Sequence, residues 1–188
     1  LFFFKYLNFF VENICAVIGF KAPTIDVALP LGISFYTFQI MSYIIDVYRK
    51  KYPAGRNLIE VAAYISMFPQ LIAGPIVTFD EVQPRLRERK ISPANIENGL
   101  LLFVVGLVYK VMLANQIAAL WNDVMVAGVM GINTATAWLG AWGYSMQIYF
   151  DFLGYSLMAI GMGYMLGFRF PKNFSNPYCA VSVTDFWR

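Results

Sequence analysis

The sequence predicts an all-α, polytopic membrane fold with broken or re-entrant helices, on three observations. Of its 188 residues, 59% are hydrophobic and 18% aromatic. Only 13% are charged, against roughly 25% in soluble domains. Apolar segments near span length are separated by short basic runs. Within one of those segments, Pro69 and the pair Gly74-Pro75 interrupt the helical pattern.

Taken in order, Leu1 to Phe20 reads as a helix interrupted by Lys5, Asn8 and Glu12, either the remnant of a span or an interfacial helix. Pro23 and Pro30 bracket a short connection. From Leu31 the run LGISFYTFQIMSYIIDVY supplies 18 residues, near the ~20 needed to cross hydrocarbon. Asp46 lies near its end, followed by Arg49, Lys50, Lys51 and Arg56, a cluster that the positive-inside tendency places in the cytoplasm. The next apolar segment, Leu58 to Phe79, ends at a second basic group, Arg85, Arg87, Arg89 and Lys90. With both flanks cytoplasmic, that segment is expected to enter and leave by one face. Irregular backbone at membrane depth is tolerated where it is buried in protein or lines a watery cavity. FPQLIAGPI, residues 68–76, is therefore either a cavity wall or simply two short helices kinked by proline.

Ser92-Pro93 starts a helix, serine as N-cap and proline at the first helical position. It runs through NGLLLFVVGLVYKVML, where Lys110 is expected to snorkel to an interface in preference to meeting a substrate. ANQIAALWNDVM alternates polar and apolar groups at helical spacing and reads as an interfacial stretch closed by Gly128 and Gly131. The last apolar segment, from about Thr134 to Phe168, holds six glycines from Gly140 to Gly167, of which Gly163 and Gly167 have GxxxG spacing. RFPKNFSNPY, residues 169–178, is expected to form an ordered loop, and Ser182 or Thr184 to cap a helix beginning at DFWR.

The chain starts at Leu1 without a methionine and stops where a helix begins. The expectation is a single partial transmembrane domain over residues 1–188, truncated at both ends. A charged n-region with a short apolar core and cleavage site is missing, so no removable signal peptide is read. The net charge of +3 is modest, and the basic residues form short runs without interleaved stacking aromatics, which argues against nucleic acid as a partner. Cys15 and Cys179 have neither paired spacing nor histidine company, so no disulfide framework and no metal site is expected. The chain has no histidine, which excludes a serine-histidine triad or a histidine base within these residues.

Polar groups in the apolar segments are the site candidates. Gln147, Asp151 and Tyr155 are spaced by four and share a helix face. A carboxylate at mid-membrane costs about 2.5–3.5 kcal/mol on translocon scales. Bonding to Tyr, Gln or Trp, pairing with Lys or Arg, or protonation offsets that cost. Asp151 thus either ties helices together or shapes a substrate cavity. Gln70, beside Pro69, either bonds substrate or satisfies backbone freed by the proline. Asp185, Trp187 and Arg188 form either a membrane-interface anchor or a helix start that meets an anion.

Four stretches together, LPLGISFYTFQIMSYIIDVYR (29–49), FPQLIAGPI (68–76), IYFDFLGYSLMAIGMGYMLGFRFPKNF (148–174) and DFWR (185–188), resemble the membrane-bound O-acyltransferase family, and within it the bacterial alginate O-acetyltransferase branch. The resemblance implies a helical core with a funnel, embedded in the bacterial inner membrane as a multi-pass protein. It implies transfer of an acetyl group from an acyl thioester cosubstrate, acetyl-CoA or an acyl carrier, with no bound cofactor. The acceptor would be a hydroxyl of an extracytoplasmic polysaccharide, and a periplasmic acetyltransferase the partner. In the family, the DFWR-like segment continues into a basic-Trp-His stretch with the catalytic histidine beyond it. The resemblance therefore implies no catalytic residue here, and makes Gln70, Gln147, Asp151, Tyr155, Asp185, Trp187 and Arg188 substrate-tunnel candidates. The chain departs from the family at Leu153 and Leu157, where serine and aspartate are frequent. Three other readings remain open: D-alanyl transfer to teichoic acid on the same fold, a transporter or channel using the broken helix and Asp151, and a structural membrane subunit.

Overall fold

In the computed structural model, residues 2–20, 28, 30, 32–70, 74–75, 77–174 and 177–186 are described, with backbone alone for 70, 129 and 130. The described residues form helices and connecting turns without strands, as an all-α fold requires. They group into two compact units, Leu1–Met67 and Phe68–Arg188.

In the first unit, a π-helical turn at Phe2–Tyr6 leads into α1, Leu7–Ile18, which ends where Gly19 takes a left-handed φ of 82°. Helix α2, Ile33–Tyr48, follows. Its 16 residues span about 24 Å at ~1.5 Å per residue. The basic connection beyond it is folded locally: Asp46 pairs with Lys51 at 3.4 Å, and the Tyr43 hydroxyl accepts from the Gly55 amide at 2.9 Å. Helix α3, Leu58–Ile65, starts on Asn57, whose side chain accepts from the Ile59 amide at 3.0 Å. Gln39 donates to the Tyr64 carbonyl at 3.3 Å, tying α2 to α3.

The apolar segment from Leu58 is broken, as Pro69 and Gly74-Pro75 predict: α3 stops at Ile65, and Phe68–Gln70 makes a 3-10 turn. Residues 71–73 and 76 of FPQLIAGPI lie outside the described residues. Where the apolar pattern predicts one segment as far as Phe79, a further helix begins, α4, Phe79–Arg87. The signal was Thr78-x-x-Glu81, a capping box in which Glu81 Oε2 accepts from the Thr78 amide at 3.1 Å. Phe79 and Val82 bury the apolar side of α4.

Helix α5, Pro93–Val108, begins on Ser92 as its N-cap, the Asn95 amide donating to Ser92 Oγ at 3.2 Å. It continues through a π-helical segment, Tyr109–Ala114, into α6, Asn115–Gly131. ANQIAALWNDVM is therefore helical, as its spacing predicts, and continuous with the apolar helix before it. Pro93–Gly128 is one helical run of 36 residues, the one run among the described residues long and apolar enough to cross a membrane. Gly128, at φ 69° and ψ 167°, ends the regular run.

Helix α7, Thr134–Met165, spans about 48 Å, longer than the ~30 Å hydrocarbon core. Asn133 caps its start by accepting from the Thr136 amide at 2.8 Å. A Schellman turn closes its end, with Gly167 at φ 82° and the Phe168 amide bonded to the Gly163 carbonyl at 2.8 Å. The loop that follows folds back on α7, where Tyr149 meets the rings of Phe174 and Tyr178 at 6.2 and 5.6 Å. Helix α8, Val183–Phe186, is four residues long and starts on Ser182.

Helices α5 and α7 pack antiparallel on glycine. A Cβ on Gly99 would lie 2.6 Å from the Gly161 carbonyl oxygen, and one on Gly106 2.6 Å from that of Gly154. These four positions, not Gly163 and Gly167, set the helix contact. Gly163 instead makes room for the Phe170 ring, and Gly167 lies in the turn. Around this small-residue seam, Leu100, Leu101, Val104, Leu107, Val111 and Met112 are exposed. Small residues inside and large apolar ones outside is the arrangement of helices solvated by lipid.

Candidate functional site

The glycine seam brings together two charges that each stand alone in an apolar run. Gly154, without a side chain, admits the backbone of the facing helix: a Cβ there would be 2.8 Å from the Gly106 carbonyl and 3.1 Å from the Lys110 amide nitrogen. Lys110 sits in the π-helical segment, and π turns displace side chains from the α register. Its ammonium donates to Asp151 Oδ1, forming an ion pair between this segment and α7. The same ammonium lies over the Tyr155 ring, 5.1 Å from its centroid, a cation-π contact. The pair is sheltered but not sealed, with the Lys110 and Asp151 side chains 25% and 31% exposed.

The expectation that Lys110 snorkels is thus corrected. Its partner is within reach across the helix contact, and for an ammonium at membrane depth a carboxylate is a better partner than lipid. Of the two readings of Asp151, the geometry realises the helix tie directly. The face shared by Gln147, Asp151 and Tyr155 is also realised, since Asp151 and Tyr155 meet one ammonium. Gln147 Oε1 is buried and accepts no hydrogen bond from the described residues. On the same helix, Ser156 is buried with its Oγ likewise without a partner among them.

Of the remaining candidates, Asp185 is the one whose side chain is described, and its recorded bonds lie within its own turn. Asp185 serves α8: its carboxylate accepts from the Val181 amide at 3.2 Å while its own amide donates to Ser182 Oγ at 3.1 Å. The Gln70 side chain, Trp187 and Arg188 lie outside what the structure describes. Lys110 is the residue that sequence reasoning left out of the site. The signal that would have found it is a lone cation in one apolar run and a lone acid in the next.

Comparison with known proteins locates this architecture. The model of the membrane-bound O-acyltransferase family matches residues 53–188. The probable alginate O-acetylase AlgI of Pseudomonas aeruginosa is 45% identical over 99% of the chain, which covers 36% of that protein's length. The peptidoglycan O-acetyltransferase of Helicobacter pylori is 34% identical over 99% of the chain, covering 40% of its own length. The teichoic acid D-alanyltransferase of Bacillus subtilis is more distant, 29% identical over 84% of the chain and covered over 40% of its length. The chain therefore spans little more than a third of the relatives it matches. A family match that takes in α3 to α8, with near-complete coverage by these relatives, means that the chain belongs to the membrane-bound O-acyltransferase family.

Proposed function

We propose that the chain is part of a multi-pass bacterial inner-membrane enzyme that transfers an acetyl group to a hydroxyl of an extracytoplasmic polysaccharide. The observation that carries this reading is 45% identity over 99% of the chain to a probable alginate O-acetylase. Acetyl transfer is favoured over D-alanyl transfer because the acetyltransferase relatives are the more similar ones over more of the chain. A transporter reading has no such support.

In the proposed reaction the sugar hydroxyl oxygen attacks the carbonyl carbon of an acyl thioester, supplied as acetyl-CoA or an acyl carrier. A base takes the hydroxyl proton as the C–O bond forms, and the C–S bond then breaks to release thiolate. The chain has no histidine, so we place the base in the remainder of the complete protein. What residues 1–188 contribute is geometry. The α5–α7 pair, with the π-helical segment after α5 tied to α7 by Lys110 and Asp151, holds one wall of the tunnel, and reacting groups depend on such positioning. Gln147 Oε1, with its acceptor capacity unused among the described residues, is suited to a water or acceptor hydroxyl. Tyr155 orients the Lys110 ammonium, and Gln70 would act from the broken segment. A periplasmic acetyltransferase would complete the export-side chemistry.

The test uses membranes carrying the complete protein, a radiolabelled acetyl thioester and polysaccharide acceptor. Label that becomes polysaccharide-bound and is released as acetate by mild alkali supports the reading. Labelling only from D-alanine, or none, overturns it.

A further inference from the structure

Far from the ion pair, at the other end of the α5–α7 contact, α4, the start of α5 and the turn after α7 line an open cavity of about 340 Å³. Ser92 and Lys110 are separated by roughly 27 Å of helix. Three cations from three chain segments line the cavity: Arg85 on α4, Lys90 in the α4–α5 connection and Arg169 after the α7 turn. Among the described residues none of the three has a carboxylate at ion-pair distance. Arg85 is half-buried and donates to the Arg169 carbonyl at 3.2 Å, linking α4 to the segment after α7. Glu88 is the only acid lining the space among the described residues, which leaves an excess of two positive charges among them.

The neighbouring chain is arranged to keep the cavity in this form. Gly167, at φ 82°, turns the chain so that Arg169 comes back toward α4, and a Cβ at Gly167 would lie 3.3 Å from the Lys90 carbonyl oxygen. Asn95 donates to that same carbonyl at 3.0 Å, fixing the connection that carries Lys90. Arg89, of the same basic run, is instead laid over the Phe168 ring at 5.6 Å. Ser92 and the first turn of α5 open on the cavity, and the positive end of a helix adds to the field of the cations.

We propose that this cavity binds a phosphate group. Two guanidinium groups and an ammonium in a concave site match a tetrahedral dianion or a phosphodiester, which arginine meets with paired hydrogen bonds. The positive-inside tendency puts this end of the helices at the cytoplasmic face, where two sources of the group are present. One is a soluble phosphate ester such as coenzyme A, and the other is the headgroup of an anionic phospholipid.

The experiment uses the complete protein in phosphatidylcholine nanodiscs. In one arm coenzyme A is titrated by calorimetry at low salt, and in the other, discs doped with phosphatidylglycerol are examined by native mass spectrometry for retained lipid. Binding in at least one arm is expected, and a Lys90→Gln/Arg169→Gln variant should weaken it about tenfold or more. Glu88→Gln should tighten it about threefold by removing the one opposing charge, a gain that misfolding does not produce. Response to coenzyme A identifies the soluble source, and response to phosphatidylglycerol the lipid. Failure of both probes to bind, or binding unchanged in the double variant, overturns the proposal.

Discussion

At the residue scale, Asp151 answers to Lys110. Removing the carboxylate leaves an ammonium in an apolar run with, among the described residues, only the Tyr155 face recorded beside it. In membrane helices such pair interactions reach about 1–2 kcal/mol, and the partial exposure of both side chains holds this one within that range. We predict that Asp151→Leu and Lys110→Met each lower the thermal stability of the complete protein. The Lys110→Met/Asp151→Leu variant should recover part of the loss, since an apolar pair leaves no charge stranded. Strictly additive losses in a double-mutant cycle would show that the two side chains do not interact. Part of this was legible in the sequence. Local spacing put Gln147, Asp151 and Tyr155 on one face, because a helix repeats on that scale. The partner, 41 residues away, is set by how two helices pack, and the charge pattern within either helix does not encode it.

At the element scale, that packing rests on glycines seven residues apart in each helix, Gly99 and Gly106 facing Gly161 and Gly154. Gly106→Ala would drive its methyl to 2.6 Å from the Gly154 carbonyl, and Gly161→Ala its own to 2.5 Å from that of Gly99. Backbone cannot yield as a side chain does, so the helices must separate, at a cost of roughly 1–3 kcal/mol each. Gly143→Ala is the control. Its methyl would meet Leu120 and Ile117 at 3.6 and 3.7 Å, ordinary contact, and the exchange should be neutral or gain up to about 1 kcal/mol of helix propensity. Thermal unfolding of the three variants checks this, and a Gly143→Ala loss as large as the others would refute the seam. The glycine content of α7 is legible in the sequence, where Gly163 and Gly167 show the GxxxG spacing but the contact glycines do not stand out. GxxxG spacing alone does not reveal that one of that pair lies beyond the helix end. The caps at Ser92 and Asn133 and the breaks at Gly128 and Pro69 follow local rules. Of these, Ser92, Gly128 and Pro69 were readable directly, while α4 was hidden by an apolar segment that runs into it.

At the scale of the whole molecule, the placement of the basic runs makes a topological claim. Arg49 to Arg56 and Arg85 to Lys90 are proposed to share the cytoplasmic side, with the broken segment between them entering and leaving by one face. Single cysteines placed at Lys51 and at Arg87, in a background lacking Cys15 and Cys179, should both resist a membrane-impermeant thiol reagent in intact spheroplasts and react once the membrane is opened. Opposite behaviour at the two sites would mean a complete crossing. Family membership was legible because four separated stretches recur in order. The same resemblance made acyl transfer legible as the reaction class, whereas a catalytic base was not legible, because the 188 residues contain no histidine. The central claim is that the Lys110–Asp151 tie holds the geometry of an acyl-transferring enzyme, and acetyl transfer in membranes with matched amounts of complete wild-type and Asp151→Asn protein tests it most directly. The account predicts alkali-labile acetate on polysaccharide with the wild type and a loss of about tenfold or more with the variant. Equal transfer by the two proteins, with equal stability, would contradict it.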